Sequence, residues 1–187
     1  ARYSGLSEAY LDSTDLRIEP QRFFKELLRD RRRTVGRLDS RYLGIDADAA
    51  GERFEYDPLM AMVQGPFTAL VNHYLRSDLG FEDDAVYEVI SEKVRPWKFP
   101  ENEYAEVASH LRAAMSRNRS LRVLVASGYY DLGTPPAAAE WTVDHMGLDP
   151  ELRANVTTRR YQAGHMMYIH EPSAKALRQD LGKLFRG

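Results

Sequence analysis

Apolar positions recur at helical spacing in the first part of the chain, up to about Asn118. The first predicted helix begins at Pro20, which suits a first turn, and ends near Gly36, a typical stop residue. Its apolar positions are Phe23, Phe24, Leu27 and Leu28. This stretch is therefore expected to be mainly helical.

Two further helices are predicted before Asn118. One begins at Pro58 and ends at Gly80, and Pro66, which cannot donate its amide, is expected to kink or break it. The other is expected to be capped by Asn102 and to extend to Met115. Loops rich in Asp, Gly and Arg separate these segments.

The pattern changes at Leu121, where an almost continuous apolar run begins. Residues 121–126 predict a parallel strand buried on both faces, and Val156–Tyr161 predict another strand. Helices are expected to open at Pro135-Pro136 and at Pro172. The order strand, helix, strand, helix is typical of an α/β fold with a short parallel sheet.

Composition then excludes several function classes. Lys and Arg total 26 against 28 Asp and Glu, so the net charge of −2 provides no basic field for nucleic acid or anionic lipid. The chain has no cysteine, which excludes thiolate nucleophiles, disulfides and cysteine-ligated metals. No apolar run is long enough to span a membrane. The compartment stays open.

Two loops that follow the predicted strands carry the candidate chemistry. Asp131 follows the first strand and His165 follows the second. Because loops at the carboxyl ends of adjacent parallel strands lie side by side, the carboxylate is expected to accept the imidazole Nδ1 proton and to leave Nε2 facing a nucleophile. The alternative interpretation is an aspartate that forms a turn and a histidine packed in a core.

A catalytic triad also needs a nucleophile, usually a serine in a Gly-x-Ser-x-Gly turn. No serine of this chain has that setting. Two strands are also a small sheet for independent stability, and an edge must lie open or pair with something else. Both observations favour a C-terminal piece of a larger protein.

The loop sequences carry a family resemblance. Residues 125–135 (VASGYYDLGTP), followed by residues 163–166 (AGHM), resemble the C-terminal end of the serine carboxypeptidase family, in particular its bacterial carboxypeptidase-like branch. The similarity extends upstream through the segments RYSGL at 2–6, FFKELLR at 23–29 and VGRLDSR at 35–41 and through Asp57-Pro58. It therefore covers nearly the whole chain.

The resemblance implies a helical cap over residues 1–118 and the C-terminal part of an α/β-hydrolase catalytic domain over residues 119–187. It implies that Asp131 is the triad acid, that His165 is the general base, and that Met166 binds substrate beside the leaving-group pocket. The family removes residues from peptide C-termini by acyl transfer, for which no cofactor or metal is expected. Many relatives are secreted and disulfide-bonded, and the absence of cysteine leaves secretion open here.

The implied partners are peptide C-termini and the missing N-terminal part of the same protein, with no nucleic acid and no membrane. Without the nucleophile, this chain alone is expected to be inactive, and its open sheet edge favours a homodimer. The alternative is a non-catalytic binding or interaction module derived from an α/β hydrolase.

Three other features have plainer interpretations. Asp46, Asp48, Gly51 and Asp57 match part of a calcium-loop pattern, but an acidic surface loop is the preferred reading. Arg29, Arg31, Arg32 and Arg33 are expected to be a solvated helix end. Two interpretations are open for the aromatic residues Trp97, Phe99 and Tyr104. They could line a substrate pocket, but the preferred interpretation is that they staple the cap to the sheet domain.

Overall fold

The computed structural model describes residues 1–98 and 100–186 and shows a mixture of helices and small sheets. The α-helices are α1 (Glu8–Ser13), α2 (Pro20–Glu26), α3 (Pro58–His73), α4 (Ala108–Arg117), α5 (Pro136–His145), α6 (Pro150–Arg153) and α7 (Glu171–Arg186). The strands are β1 (Thr34–Val35), β2 (Leu43–Gly44), β3 (Val123–Gly128) and β4 (Val156–Tyr161). Within the described ranges, no helix has the length and apolar character needed to cross a membrane.

The parallel sheet consists of β3 and β4, with Val123 opposite Val156 and Gly128 opposite Tyr161. Alternate side chains leave opposite faces of a sheet, so one face carries Val156 and the other carries Tyr161. Val156 packs into a core with Met115 of α4, Val143 of α5 and Met146, which directly follows α5. Tyr161 packs with Ala176 and Leu177 of α7. Helices therefore cover both faces of the sheet.

The first part of the chain contains a small antiparallel hairpin that the hydrophobic pattern did not indicate. Strands β1 and β2 pair through Thr34 opposite Gly44 and Val35 opposite Leu43. Helix α2 contacts β1, and both Thr34 and Val35 are buried. This part is therefore not purely helical.

Residues 36–42, which connect the two strands of the hairpin, join the first part of the chain to the parallel sheet. Three backbone hydrogen bonds make the connection: Ser40 N–H to Tyr130 O (2.9 Å), Leu132 N–H to Arg37 O (2.9 Å) and His165 N–H to Leu38 O (2.7 Å). Residues 36–42 thus lie against the loops that follow both β3 and β4. The division at residues 118 and 119 stays a prediction.

The first predicted helix is shorter than expected. Helix α2 ends at Glu26, and the predicted stop at Gly36 is wrong. The chain turns instead through a 3-10 segment, Arg29–Arg31, and then through Arg32 in the left-handed region with φ +52°. That turn ends the helix and lets the following residues enter β1.

Helix α3 is continuous across Pro66, so the predicted break is wrong. Proline removes one amide donor from the helix, but Pro66 and Met62, whose carbonyl loses its partner, are both exposed, and water can solvate that carbonyl. After α3 the chain continues through a π-helical segment, Tyr74–Asp78, to Gly80 with φ +63°. The predicted stop at Gly80 is confirmed.

The third predicted helix begins later than expected. Helix α4 starts at Ala108, and the predicted cap at Asn102 is wrong because Asn102 has φ +58° and no helix follows it directly. Tyr104 is 97% exposed and contributes no burial that would extend the helix. The Glu106 carboxylate instead accepts the Ser109 amide near the start of α4, at 2.8 Å.

Strand β4 matches its predicted bounds, whereas β3 differs from the prediction. β3 covers Val123–Gly128 rather than residues 121–126, and of its residues only Ser127 and Gly128 are buried. The predicted full burial is wrong: helices contact both faces, but residues 123–125 are only half-buried and Ala126 is exposed, because among the described residues the sheet has two strands and β3 is an edge strand. The α/β-hydrolase assignment itself stays a prediction.

Candidate active site

Asp131 lies in the turn directly after β3, and its side chain is only 3% exposed. Its Oδ1 accepts the backbone amides of Gly133 at 2.8 Å and Thr134 at 2.9 Å. The aspartate therefore does form the turn that one interpretation of the sequence expected. Its second oxygen, Oδ2, is left to face the loop after β4.

The ionisation of Asp131 follows from these contacts. Burial alone would raise the pKa of this carboxyl, but hydrogen bonds from Thr134, His165 and Gly133 outweigh burial and lower the pKa below its usual value. Asp131 is therefore a carboxylate at neutral pH, with no proton to donate.

His165 lies in the loop after β4, as predicted. Its Nδ1 is 2.8 Å from Asp131 Oδ2, so the predicted contact between the two side chains is confirmed. Because the carboxylate can only accept, Nδ1 carries the proton and donates it to Oδ2. The side chain is 46% exposed, which excludes the interpretation of a histidine packed in a core.

The other imidazole nitrogen is available for chemistry. Across residues 1–98 and 100–186, no hydrogen bond is made to His165 Nε2, and no serine hydroxyl bonds the imidazole. An imidazole with Nδ1–H bound to a buried carboxylate and a free Nε2 is suited to accept a proton from a ligand. The geometry provides an oriented base without a nucleophile.

Two glycines allow the loops to approach this closely. A Cβ on Gly128 would lie 2.1 Å from the Gly164 carbonyl oxygen. A Cβ on Gly164 would lie 2.4 Å from the Leu38 carbonyl oxygen and from Asp39 Cβ. Backbones from β3, from the loop after β4 and from residues 36–42 therefore meet where a side chain has no room.

Sequence reasoning missed the support behind His165. The Leu38 carbonyl accepts the His165 amide, and the Leu38 amide donates to Asp57 Oδ2 at 3.1 Å. Asp57 also caps α3 through its other oxygen, which accepts the Leu59 amide at 2.9 Å. The only sequence signal for this support was the segment VGRLDSR at residues 35–41. It is part of the family resemblance, but the resemblance assigned it no role.

The same segment is fixed by a charge pair. Asp39 is 3% exposed, and Arg41 donates to both of its oxygens, at 2.9 and 2.7 Å. The Arg41 guanidinium also lies 4.6 Å from the centre of the Tyr130 ring and donates to the Gln162 carbonyl at 3.2 Å. Arg41 thus links residues 36–42 to both loops.

Met166 directly follows His165 and is half-buried. It precedes a 3-10 turn, Met167–Ile169, and its carbonyl accepts the Ile169 amide at 3.1 Å. Met167, not Met166, is the buried methionine of this turn. The position of Met166 beside His165 is established, and its role in substrate binding stays a prediction.

The calcium-like pattern is not a cation site. Asp46 is buried and paired with Lys25, and it accepts the Thr34 hydroxyl at 2.8 Å. Asp57 is occupied by the amides of Leu38 and Leu59. In the described residues, no group of three or more His, Asp or Glu side chains could hold a metal. The expected acidic surface loop is also wrong for Asp46.

Two other expectations are corrected. Arg29 is not simply solvated, because it donates to the carbonyls of Ala49, Ala50 and Gly51 at 3.1–3.3 Å. Trp97 and Tyr104 are 69% and 97% exposed, so the staple expected between cap and sheet is wrong for these two residues. The third member of that group, Phe99, lies outside the described residues.

The chain matches no protein-family model, no curated protein and no solved structure. The resemblance to the serine carboxypeptidase family therefore remains an expectation.

Proposed function

We propose that this chain is the acid–base half of a serine carboxypeptidase-like hydrolase. The observation that carries the proposal is the 2.8 Å contact between His165 Nδ1 and a buried Asp131 carboxylate, at the carboxyl ends of two parallel strands. The half-exposed imidazole and its free Nε2 support a role as general base.

In the proposed reaction, His165 Nε2 takes the proton of a serine hydroxyl while the serine oxygen attacks the carbonyl carbon of the last peptide bond. His165 then gives this proton to the departing amine as the C–N bond breaks, which leaves an acyl-enzyme. Nε2 next removes a proton from water, whose oxygen bonds to the acyl carbon of the ester; the bond from that carbon to the serine oxygen then breaks, Nε2 returns the proton to the serine oxygen, and the shortened peptide leaves with a new C-terminal carboxyl group. Asp131 stabilises the imidazolium at each stage.

The serine is proposed to come from a segment outside this chain, since no hydroxyl of the described residues bonds His165 Nε2. This chain alone is then inactive, because the members of a triad act as a unit. The same observation favours the second candidate, a binding module that keeps the oriented imidazole but performs no reaction.

The test uses the protein expressed from the complete reading frame that encodes this chain. It measures the release of C-terminal amino acids from peptides. We expect Asp131→Asn and His165→Ala each to lower kcat/KM by about 10⁴-fold or more. His145→Ala is the matched control, because His145 is an exposed histidine whose Nδ1 bonds only the Trp141 carbonyl of its own helix.

Equal amino-acid release by the native protein and His165→Ala would contradict the proposal. Release by this chain on its own would contradict the assignment of the nucleophile to another segment. Peptide binding without release, unchanged in both variants, would favour the binding module.

A further inference from the structure

We propose that Thr134 is a positioning residue that fixes the proton of His165 on Nδ1. Its Oγ1 lies 2.5 Å from Asp131 Oδ2 and 3.1 Å from His165 Nδ1. The hydroxyl, the carboxylate oxygen and the imidazole nitrogen therefore form a closed triangle. The resemblance gave Thr134 no role.

The directions of the hydrogen bonds in this triangle follow from the chemistry of its members. The Asp131 carboxylate is an acceptor, so the Thr134 hydroxyl donates its single proton to Oδ2. The lone pairs of Oγ1 then face Nδ1, where they can only accept. The His165 Nδ1–H is consequently shared between Oδ2 and Oγ1, and both acceptors favour a proton on Nδ1.

The hydroxyl also completes the restraint on the aspartate. The backbone amides of Gly133 and Thr134 hold Oδ1, whereas Oδ2 is held from the turn only by the Thr134 hydroxyl. The His165 ring is 46% exposed, and in the described residues its hydrogen bonds are those to Asp131 Oδ2 and Thr134 Oγ1. Thr134 therefore fixes the carboxylate oxygen on which the orientation of the ring depends.

The functional meaning of this triangle rests on the proposed function, because a fixed tautomer matters only if Nε2 acts as the base. The triangle itself can be measured without turnover. The experiment is NMR on the 187-residue chain with ¹⁵N-labelled histidine, which reports the tautomer of His165 and the exchange of its Nδ1 proton with water.

Thr134→Val removes the hydroxyl and keeps the shape, and Thr134→Ser keeps the hydroxyl. We expect about tenfold faster exchange of the Nδ1 proton in Thr134→Val, as one lost hydrogen bond implies, together with a larger share of the Nε2–H tautomer. Thr134→Ser should match the native chain. Thr142→Val is the control, because the Thr142 hydroxyl bonds only the Ala138 carbonyl of α5.

Native-like exchange and tautomer in Thr134→Val would overturn the inference, as would a Thr134→Ser variant that behaves like Thr134→Val. If Thr134→Val does not fold, as judged by its melting curve, Thr134→Ala is measured against the same two outcomes. In the complete protein, Thr134→Val should lower kcat about tenfold with little change in KM. If that protein releases no amino acid at all, the proposed function fails while the exchange result still decides the role of Thr134.

Discussion

Two buried carboxylates in this molecule have opposite surroundings. Asp46 in the first part of the chain is paired with Lys25, and the two side chains are 1% and 3% exposed. Asp131 beside the parallel sheet is 3% exposed, but its partner His165 is 46% exposed. For both carboxyls burial would raise the pKa, and hydrogen bonds, from Lys25 and Thr34 in one case and from Thr134 and His165 in the other, lower it.

The difference separates an enclosed ion pair from a pair that is open to solvent on one side. Lys25 is enclosed and also donates to the Asp48 carbonyl at 2.7 Å, so its charge serves only to hold the loop after β2 against α2. His165 turns one nitrogen to the carboxylate and presents the other to solvent. A buried acid with a half-exposed base can pass a proton to a ligand, whereas a closed pair cannot.

The largest effect on stability is expected at the closed pair. Lys25→Met leaves Asp46 as an uncompensated buried charge and should lower the free energy of unfolding by about 3–5 kcal/mol. Urea denaturation at pH 7 measures this change. The matched control is Lys175→Met, because Lys175 forms an exposed pair with Glu171 and should matter little.

A second variant tests the cause of that loss. Lys25→Met combined with Asp46→Leu removes both charges and should recover most of the lost stability. If the double variant is as unstable as Lys25→Met, the loss comes from packing, and the comparison between the two pairs loses its electrostatic basis.

The next largest effect is expected where the loops around the open pair meet. Gly164→Ala forces a Cβ against the Leu38 carbonyl oxygen and should lower the free energy of unfolding by about 2–4 kcal/mol. The Nδ1 proton of His165 should also exchange faster, because its loop is displaced. Urea denaturation and the NMR exchange measurement report these two changes.

Gly65→Ala is the matched control for this variant. Gly65 lies in α3, and a Cβ there meets nothing within 4 Å. Alanine should therefore stabilise the helix by about 0.5–1 kcal/mol. If Gly164→Ala were as stable as the native chain, the described packing of the three backbones would be incorrect.

Tyr161 provides a third buried contact to a carboxylate, at the end of β4. Burial and the hydrogen bond to Asp180 raise the pKa of Tyr161 from 10.0 to about 12. Because folding raises this pKa, the contribution of Tyr161 to the free energy of unfolding is complete below pH 10 and is lost as the pH rises from about 10 to about 12. At pH 11 the loss should be about 1.4 kcal/mol.

Tyr161→Phe should lack this part of the alkaline loss while remaining folded at pH 8. The check is the difference in unfolding free energy between pH 8 and pH 11, measured for both proteins. An equal alkaline loss in the two would mean that Tyr161 ionises as readily in the folded chain as in the unfolded one.

The smallest effect on stability is expected at the open pair itself. His165→Ala removes a half-exposed ring and leaves Asp131 with the Gly133 amide and both donors of Thr134, so the free energy of unfolding should fall by less than about 1 kcal/mol. Urea denaturation measures it. If His165→Ala lowered the free energy of unfolding as much as Lys25→Met does, His165 would be a structural residue. The Lys25–Asp46 and Asp131–His165 pairs would then not differ in this respect.

Short-range patterns explain what the sequence could predict. Strand β4 is a run of β-formers, and Pro136 sets the first turn of α5, so both elements follow from neighbouring residues. The contact between Asp131 and His165 followed from the rule that loops after adjacent parallel strands lie side by side.

Features that depend on residues distant in the chain could not be predicted in this way. The pairing of β1 with β2 joins strands of two residues each, which are too short to show a period. Lys25 and Asp46 look like surface charges until the fold encloses them. The role of Leu38 behind His165 depends on its backbone carbonyl, which no side-chain pattern encodes.

The backbone bonds of residues 36–42 also change what a break in the chain would do. Residues 76–88 are all exposed, which makes them a suitable target for a protease. A cut there would give two peptides, one with residues 36–42 and the other with Asp131 and His165. The backbone hydrogen bonds of Ser40, Arg37 and Leu38 would still hold the two peptides together, so the nicked molecule should remain a non-covalent complex in which Asp131 and His165 stay in contact.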